Sequence, residues 1–256
     1  MIKKLNIQEN SFKILRLPIA SPEIKSIDID ECGEDLVDLK EVNNERIIPF
    51  AEFDKTYDAG HPDNGKVRIG LYERLLLLLE RLPKNIGIAF AQGYRPLWKQ
   101  KEYFDKKFRE LVRQFDHGDL EKAYMQASIF VSPYIDNVPV HCTGAAIDFT
   151  LFIFNDDGTK SLLDLGRHDT AIGPNLQAQT LTENITEKQR KNRILLLSAA
   201  SKVGLVNYGY EWWHYSYGDR AWAYVEKNEK AIYGLIDKDK INISTSKEEY
   251  FKKFKS

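Results

Sequence analysis

A chain of 256 residues with 43% hydrophobic and 29% charged side chains can bury one large core, a profile that excludes a disordered or fibrous protein. Its 37 Lys and Arg nearly balance 38 Asp and Glu, so no global field favours nucleic acid or an anionic membrane. The longest apolar run, Leu75 to Leu79, is too short to span a bilayer, no signal-peptide run follows Met1, and two distant cysteines imply no disulfide framework.

A reduced, cytoplasmic protein is therefore expected, with export by a route that leaves no N-terminal mark kept open. The first 60 residues mix short β-like runs (Phe12 to Leu17, Arg46 to Phe50) with acidic turns and carry little recognisable signal. From Val67 to Leu82, apolar side chains at 71, 75, 78 and 82 follow a helical period that Pro83 stops. Ile86 to Gln92 reads as a short buried strand ending at Gly93. Leu97 to Phe115 is helical, with Phe104, Phe108, Leu111 and Phe115 on one stripe, and Asp119 caps a further helix through Ala123, Tyr124 and Ala127.

Ala145 to Phe154 alternates as a strand does. Ile147, Phe149, Leu151 and Ile153 share a core face, while Ala146, Asp148 and Thr150 form a small, partly polar floor. Thr186 and Gln189 make a capping box for a helix that Gly204 ends. Val206 to Tyr217 is aromatic-rich and strand-like, a last helix is expected from Arg220 to about Leu235, and residues 237–256 read as a charged tail that frays. This mixed order predicts an α+β fold: one domain over 1–256 with a central, mostly antiparallel sheet flanked by helices.

Two polar pairs stand out, His141 with Asp148 and Glu211 with His214. In a continuous strand, odd separations place two side chains on opposite faces. Gly144 supplies the bend that returns a loop-borne His141 toward Asp148, and Glu211 is expected to precede its strand or sit at a bulge. Two imidazoles and a carboxylate are three ligands for one Zn²⁺ per chain, with a fourth position left for water. Such a metal lowers the water's pKa toward ~7 and polarises a scissile carbonyl, and Glu211 is placed to take the proton as general base. The plainer readings are a buried salt bridge for Asp148, a solvated strand-end charge for Glu211 and packed histidines.

Three blocks in order, Gly93-Tyr-Arg-Pro96, His141 to Leu151 and Glu211-Trp-Trp-His-Tyr215, resemble the zinc D-alanyl-D-alanine dipeptidases of the VanX type. These belong to a wider metallopeptidase group that includes VanY-type carboxypeptidases. The resemblance runs from about Val67 to Gly234. It implies His141, Asp148 and His214 as zinc ligands, Glu211 as general base, and Arg95 as the group that steadies the tetrahedral oxyanion. It also implies that Trp212 closes the site against longer peptides and that Asp169 binds the substrate's free amino group. Pro139 departs from the family, standing where a serine of VanX is thought to touch substrate. Cys142 replaces a small polar residue and reads as a half-buried side chain, and His61 reads as part of a surface turn.

The reaction expected is hydrolysis of a small D,D-dipeptide, with no nucleic-acid or membrane partner and no oligomeric state read. One alternative is a D,D- or L,D-carboxypeptidase acting on peptidoglycan stem peptides. Another is a peptide- or zinc-binding module without turnover.

Overall fold

The first strand of the described residues, β1 (Ile14–Leu15), is an edge of the central sheet, which orders the remaining elements around it. In the computed structural model, residues 12–115, 119–166, 177–236 and 246–254 are described. After β1 come α1 (Pro22–Lys25), β2 (Asp28–Ile29), β3 (Leu36–Asp38), β4 (Ile47–Pro49) and β5 (Lys66–Arg68). The middle of the chain forms α2 (Ile69–Arg81), β6 (Ile86–Gln92), α3 (Leu97–Gln114), α4 (Leu120–Phe130), β7 (Ala146–Phe154) and β8 (Lys160–Leu162). The last part forms α5 (Glu187–Lys202), β9 (Val206–Tyr208), β10 (Glu211–Ser216), α6 (Arg220–Glu226), β11 (Lys230–Ala231) and α7 (Lys247–Lys252).

The central sheet runs β1-β9-β10-β7-β6-β4, with β8 also paired to β7. Its inner pairs are antiparallel, whereas the outer pairs β1–β9 and β4–β6 are parallel. The fold is α+β, and the sheet is mixed at both margins.

The period-two pattern of β7 sets the two layers. Ile147, Phe149 and Leu151 join Leu71, Leu75 and Leu78 of α2 and Leu196 and Leu197 of α5 in the main apolar core. Asp148 and Thr150 face the other way and are also buried, at 7% and 3% exposure. A second apolar cluster joins Phe104 and Phe108 of α3 to Ala123 and Ala127 of α4. The helix caps follow their sequence signals. Asp119 accepts from the Lys122 N–H, and Thr186 and Gln189 form the reciprocal capping box.

Three segments differ from the sequence expectation. The strand expected over Val206 to Tyr217 is a hairpin, β9 and β10, interrupted at Gly209 and Tyr210. The helix expected to reach Leu235 stops at Glu226, where Lys227 takes a left-handed conformation with φ 59°. Beyond it Ala231, Tyr233 and Leu235 are buried at a spacing of two, which suits an extended chain and not a helix. The charged tail also has structure: α7 buries Tyr250 and Phe251 against Phe108, with ring centroids 5.3 Å and 5.9 Å away. Among the described residues no helix is long and apolar enough to cross a membrane.

Candidate metal centre and its cavity

His141 lies on a short 3-10 turn, Val140–Thr143, that Gly144 terminates at φ 70°. A side chain on Gly144 would be strained in that region, and its Cβ would come within 2.7 Å of Leu36 Cδ2. The turn reverses the chain so that it re-enters the sheet as β7, with Asp148 on the face that looks back at His141. The imidazole is anchored from behind, because the Gly93 carbonyl lies 2.9 Å from Nδ1. A carbonyl only accepts, so Nδ1 carries the proton and Nε2 presents its lone pair forward. That Nε2 is 3.4 Å from Asp148 Oδ2. Gly93 itself is packed so closely that a Cβ would meet the Lys66 carbonyl at 2.5 Å. The Arg95 N–H, two residues on, donates to the His141 carbonyl at 3.0 Å.

His214 reaches the same point from the neighbouring strand. It is the cross-strand partner of Asp148 in the β10–β7 pair, and its Nδ1 is 2.9 Å from Asp148 Oδ1. The β9–β10 register shifts between Glu211 and Tyr215, the irregularity expected for bringing Glu211 to the side of His214. Glu211 Oε2 lies 4.0 Å from His214 Nδ1. Asn207 holds this bulge, with its side-chain amide donating to the carbonyls of Glu211, Trp212 and His214 at 3.1, 3.3 and 3.0 Å. Its own oxygen accepts from Thr180 Oγ1 at 2.6 Å.

One ligand atom from each of His141, Asp148 and His214 lies within 4.8 Å of the other two, and all three residues are buried. Two ring nitrogens and a carboxylate oxygen, gathered in a pocket wall, are a donor set that fits a divalent transition ion. Burial pulls the His141 imidazole down to about 4, against the opposing pull of Asp148, so it is neutral and available as a donor. Burial alone would raise Asp148, but the two histidines together hold it well below the usual carboxylate range. Burial likewise works against a charged His214, and the hydrogen bond and charge of Asp148 outweigh it and raise that imidazole. Glu211 goes the other way: burial first and the Asp148 charge second push it up to about 8.

These groups open onto a cavity of about 590 Å³, within the usual range for small-ligand sites. Arg95 lines it, donates from Nη1 to Gln100 Oε1 at 3.0 Å, and lies 4.9 Å from the centre of the Tyr103 ring. Gln100 is in turn fixed by donating to the Ser132 carbonyl at 2.6 Å. The structure thus brings His141, Asp148, His214, Glu211 and Arg95 to one cavity. Trp212 is different. It points into the core, 5.2 Å from the Arg193 guanidinium, and its neighbour Trp213 lines the cavity. Alternation along β10 decides this, since the residue beside Glu211 faces the other side of the sheet.

Asp169 lies outside the described residues. Cys142 is buried and stands apart from the ligand cluster. His61, expected on a surface turn, is buried, with Nε2 within 3.3 Å of the Gln92 amide oxygen.

A family model described as D-Ala-D-Ala dipeptidase (peptidase M15) matches residues 71–232. The chain belongs to the D-Ala-D-Ala dipeptidase family. The matched part of this family member contains all three motif blocks, while the sheet edges β1 and β4 lie before it. A curated D-alanyl-D-alanine dipeptidase from Synechocystis sp. is 29% identical over 245 residues, covering 83% of this chain and 96% of that protein. A crystal structure of the vancomycin-resistance D,D-pentapeptidase VanY in complex with Zn(II) matches at 17% identity and a TM-score of 0.38. It covers 70% of this chain and 88% of that one, a likeness too small to carry a structural argument.

Three residues that shape this family member's cavity lie outside the motifs read from the sequence: Gln100, Tyr103 and Asn207. The first two had a signal, since positions 100 and 103 fall on the helical face that follows the Gly93–Pro96 block. Asn207 had a weaker one, a lone amide inside an aromatic strand that needs buried partners.

Proposed function

We propose that the chain hydrolyses the D-alanyl-D-alanine dipeptide with one Zn²⁺ held by His141, Asp148 and His214. The observation that carries this reading is the partly buried Glu211 carboxylate, 4.0 Å from His214 Nδ1 and outside the three-residue donor cluster, in the same cavity as Arg95. A base beside the ligands, together with a fixed cation, is what peptide hydrolysis needs and what a storage or structural metal site does not. Bound zinc supplies Lewis acidity toward the peptide carbonyl and a lowered pKa for water.

The remaining work falls to the chain. Glu211 Oε2 takes the proton of the attacking water and delivers it to the departing amine. The Arg95 guanidinium, held by Gln100 and Tyr103, stabilises the negative charge that develops on the carbonyl oxygen. The Gly93 carbonyl keeps His141 in the tautomer that ligates through Nε2. Cys32 and Cys142, one exposed and one buried, form no disulfide among the described residues, which fits a reducing, cytoplasmic setting.

The test is metal analysis combined with hydrolysis of D-Ala-D-Ala, L-Ala-L-Ala and a D-Ala-D-Ala-terminated pentapeptide, before and after chelation. We expect D-Ala-D-Ala to be the preferred substrate, with turnover lost on chelation and restored by zinc. Preference for the pentapeptide would move the assignment to a carboxypeptidase, and absence of turnover on all three would end it.

A further inference from the structure

The α3 helix contributes a stripe to the cavity wall that ends in an unexplained charge. Gln100, Tyr103 and Lys107 all line the cavity and are spaced three and four residues apart, so they project from one helical face. The first two set Arg95 in place. Lys107 lies about 10 Å further along the axis than Gln100. It is only 4% exposed, and its Nζ has no hydrogen-bond partner among the described residues. The nearest aromatic surface is the Phe130 ring, 5.2 Å from Nζ to its centre. Glu110, one turn on, favours the charge electrostatically, yet its Oε2 is also buried without a hydrogen-bond partner. Burial pulls the Lys107 ammonium down from its ordinary value.

An ammonium removed from water without a partner is unfavourable, so a cavity that retains one is suited to an anion that arrives later. The described lining offers a carboxylate few other places. Asp54, Asp58, Asp148 and Glu211 repel it, Arg95 is assigned in this reading to the charge developing on the carbonyl oxygen, and Lys106 is exposed.

We propose that Lys107 is a substrate-binding residue that receives the C-terminal carboxylate of the dipeptide. This rests on the dipeptidase reading and adds to it: the enzyme selects a free C-terminus through a buried cation on the wall that also positions Arg95. The C-terminal amide of the same dipeptide lacks the charge and forms no ion pair there.

The experiment measures dissociation constants of D-Ala-D-Ala and D-Ala-D-Ala amide by calorimetry on metal-loaded Glu211→Gln protein, with and without a substitution at 107. A charge-assisted contact corresponds to an acid preference of about 10- to 100-fold. We expect Lys107→Met to reduce that ratio to within about threefold by weakening the acid alone, and Lys107→Arg to keep most of it. An acid preference that survives Lys107→Met overturns the assignment. So does an equal loss for both ligands with a lowered midpoint of thermal unfolding, the signature of a structural lysine. Turnover by the parent enzyme separates the two readings: without it the dipeptidase reading fails. With turnover present and a ratio indifferent to residue 107, the lysine assignment alone fails.

Discussion

Asp148 and Glu211 share one cavity, yet their surroundings shift them in opposite directions. Asp148 sits between two imidazoles and stays ionised, whereas Glu211 meets only one imidazole at 4.0 Å and is pushed up to about 8. The division fits a ligand and a proton carrier. We expect Glu211→Gln to retain stoichiometric metal while kcat falls at least about 1000-fold, within the range for loss of a general base. His141→Ala should lose the metal itself, and metal content beside kcat distinguishes the two outcomes. Asn207→Ala withdraws the donor for three carbonyls of the bulge. It should lower unfolding free energy by about 2 kcal/mol and reduce kcat with metal still bound, checked by urea denaturation and metal analysis. His61 offers a separate pH signature. Burial depresses its folded pKa below the ordinary 6.5, so the unfolded chain takes up the proton first as pH falls. Its contribution is intact above the ordinary histidine range and is lost below it. His61→Gln should therefore flatten the stability profile between about pH 7 and pH 5, and unchanged slopes would show that the histidine protonates freely in the fold.

At the scale of elements, the ligand geometry depends on two local irregularities, the turn before β7 and the bulge in β10. Gly144→Ala combines a left-handed φ with a close approach to Leu36, and should destabilise by about 1–3 kcal/mol in chemical denaturation. Both irregularities are legible in the sequence, because odd spacing between His141 and Asp148, and between Glu211 and His214, cannot be met by regular strands. The capped helices are legible for a similar reason: Thr186 with Gln189, and Asp119, are local signals that need no tertiary information. The β9–β10 hairpin is not, since aromatic residues continue through Tyr210 and hide the break at Gly209. The end of α6 is missed because Ala221, Ala223, Ala231 and Leu235 are all good helix formers, and only burial at 231, 233 and 235 reveals the extended chain. Trp212 and Trp213 are adjacent, so choosing which of them faces the cavity requires knowing the bulge.

For the whole molecule, the least legible segments lie at the margins of the sheet. β1 and β4 are two and three residues long, too short for a periodic signal, and they pair parallel with strands far away in sequence. A fragment limited to the family-matched residues 71–232 lacks both strands and also α7. We expect it to be insoluble or unfolded by circular dichroism, since it exposes two sheet edges and the Phe104–Phe108 face of α3. A milder probe is Tyr250→Ala, which removes a buried ring and its 2.7 Å hydrogen bond to Asp105. It should lower stability by about 3 kcal/mol and, because α3 carries Gln100, Tyr103 and Lys107, weaken substrate binding as well.

The pairing of Ile14 with Asn207 has a consequence for biogenesis. The backbone N–H of Asn207 donates to the Lys13 carbonyl, so the residue that holds the β10 bulge is seated by a strand far upstream. A ribosome releases that opening strand long before its partner exists, and non-local closure of this kind is slow. Nascent chains therefore hold an unfinished pocket until β9 has been made, and the site forms with the closing of the sheet instead of accumulating as the polypeptide grows.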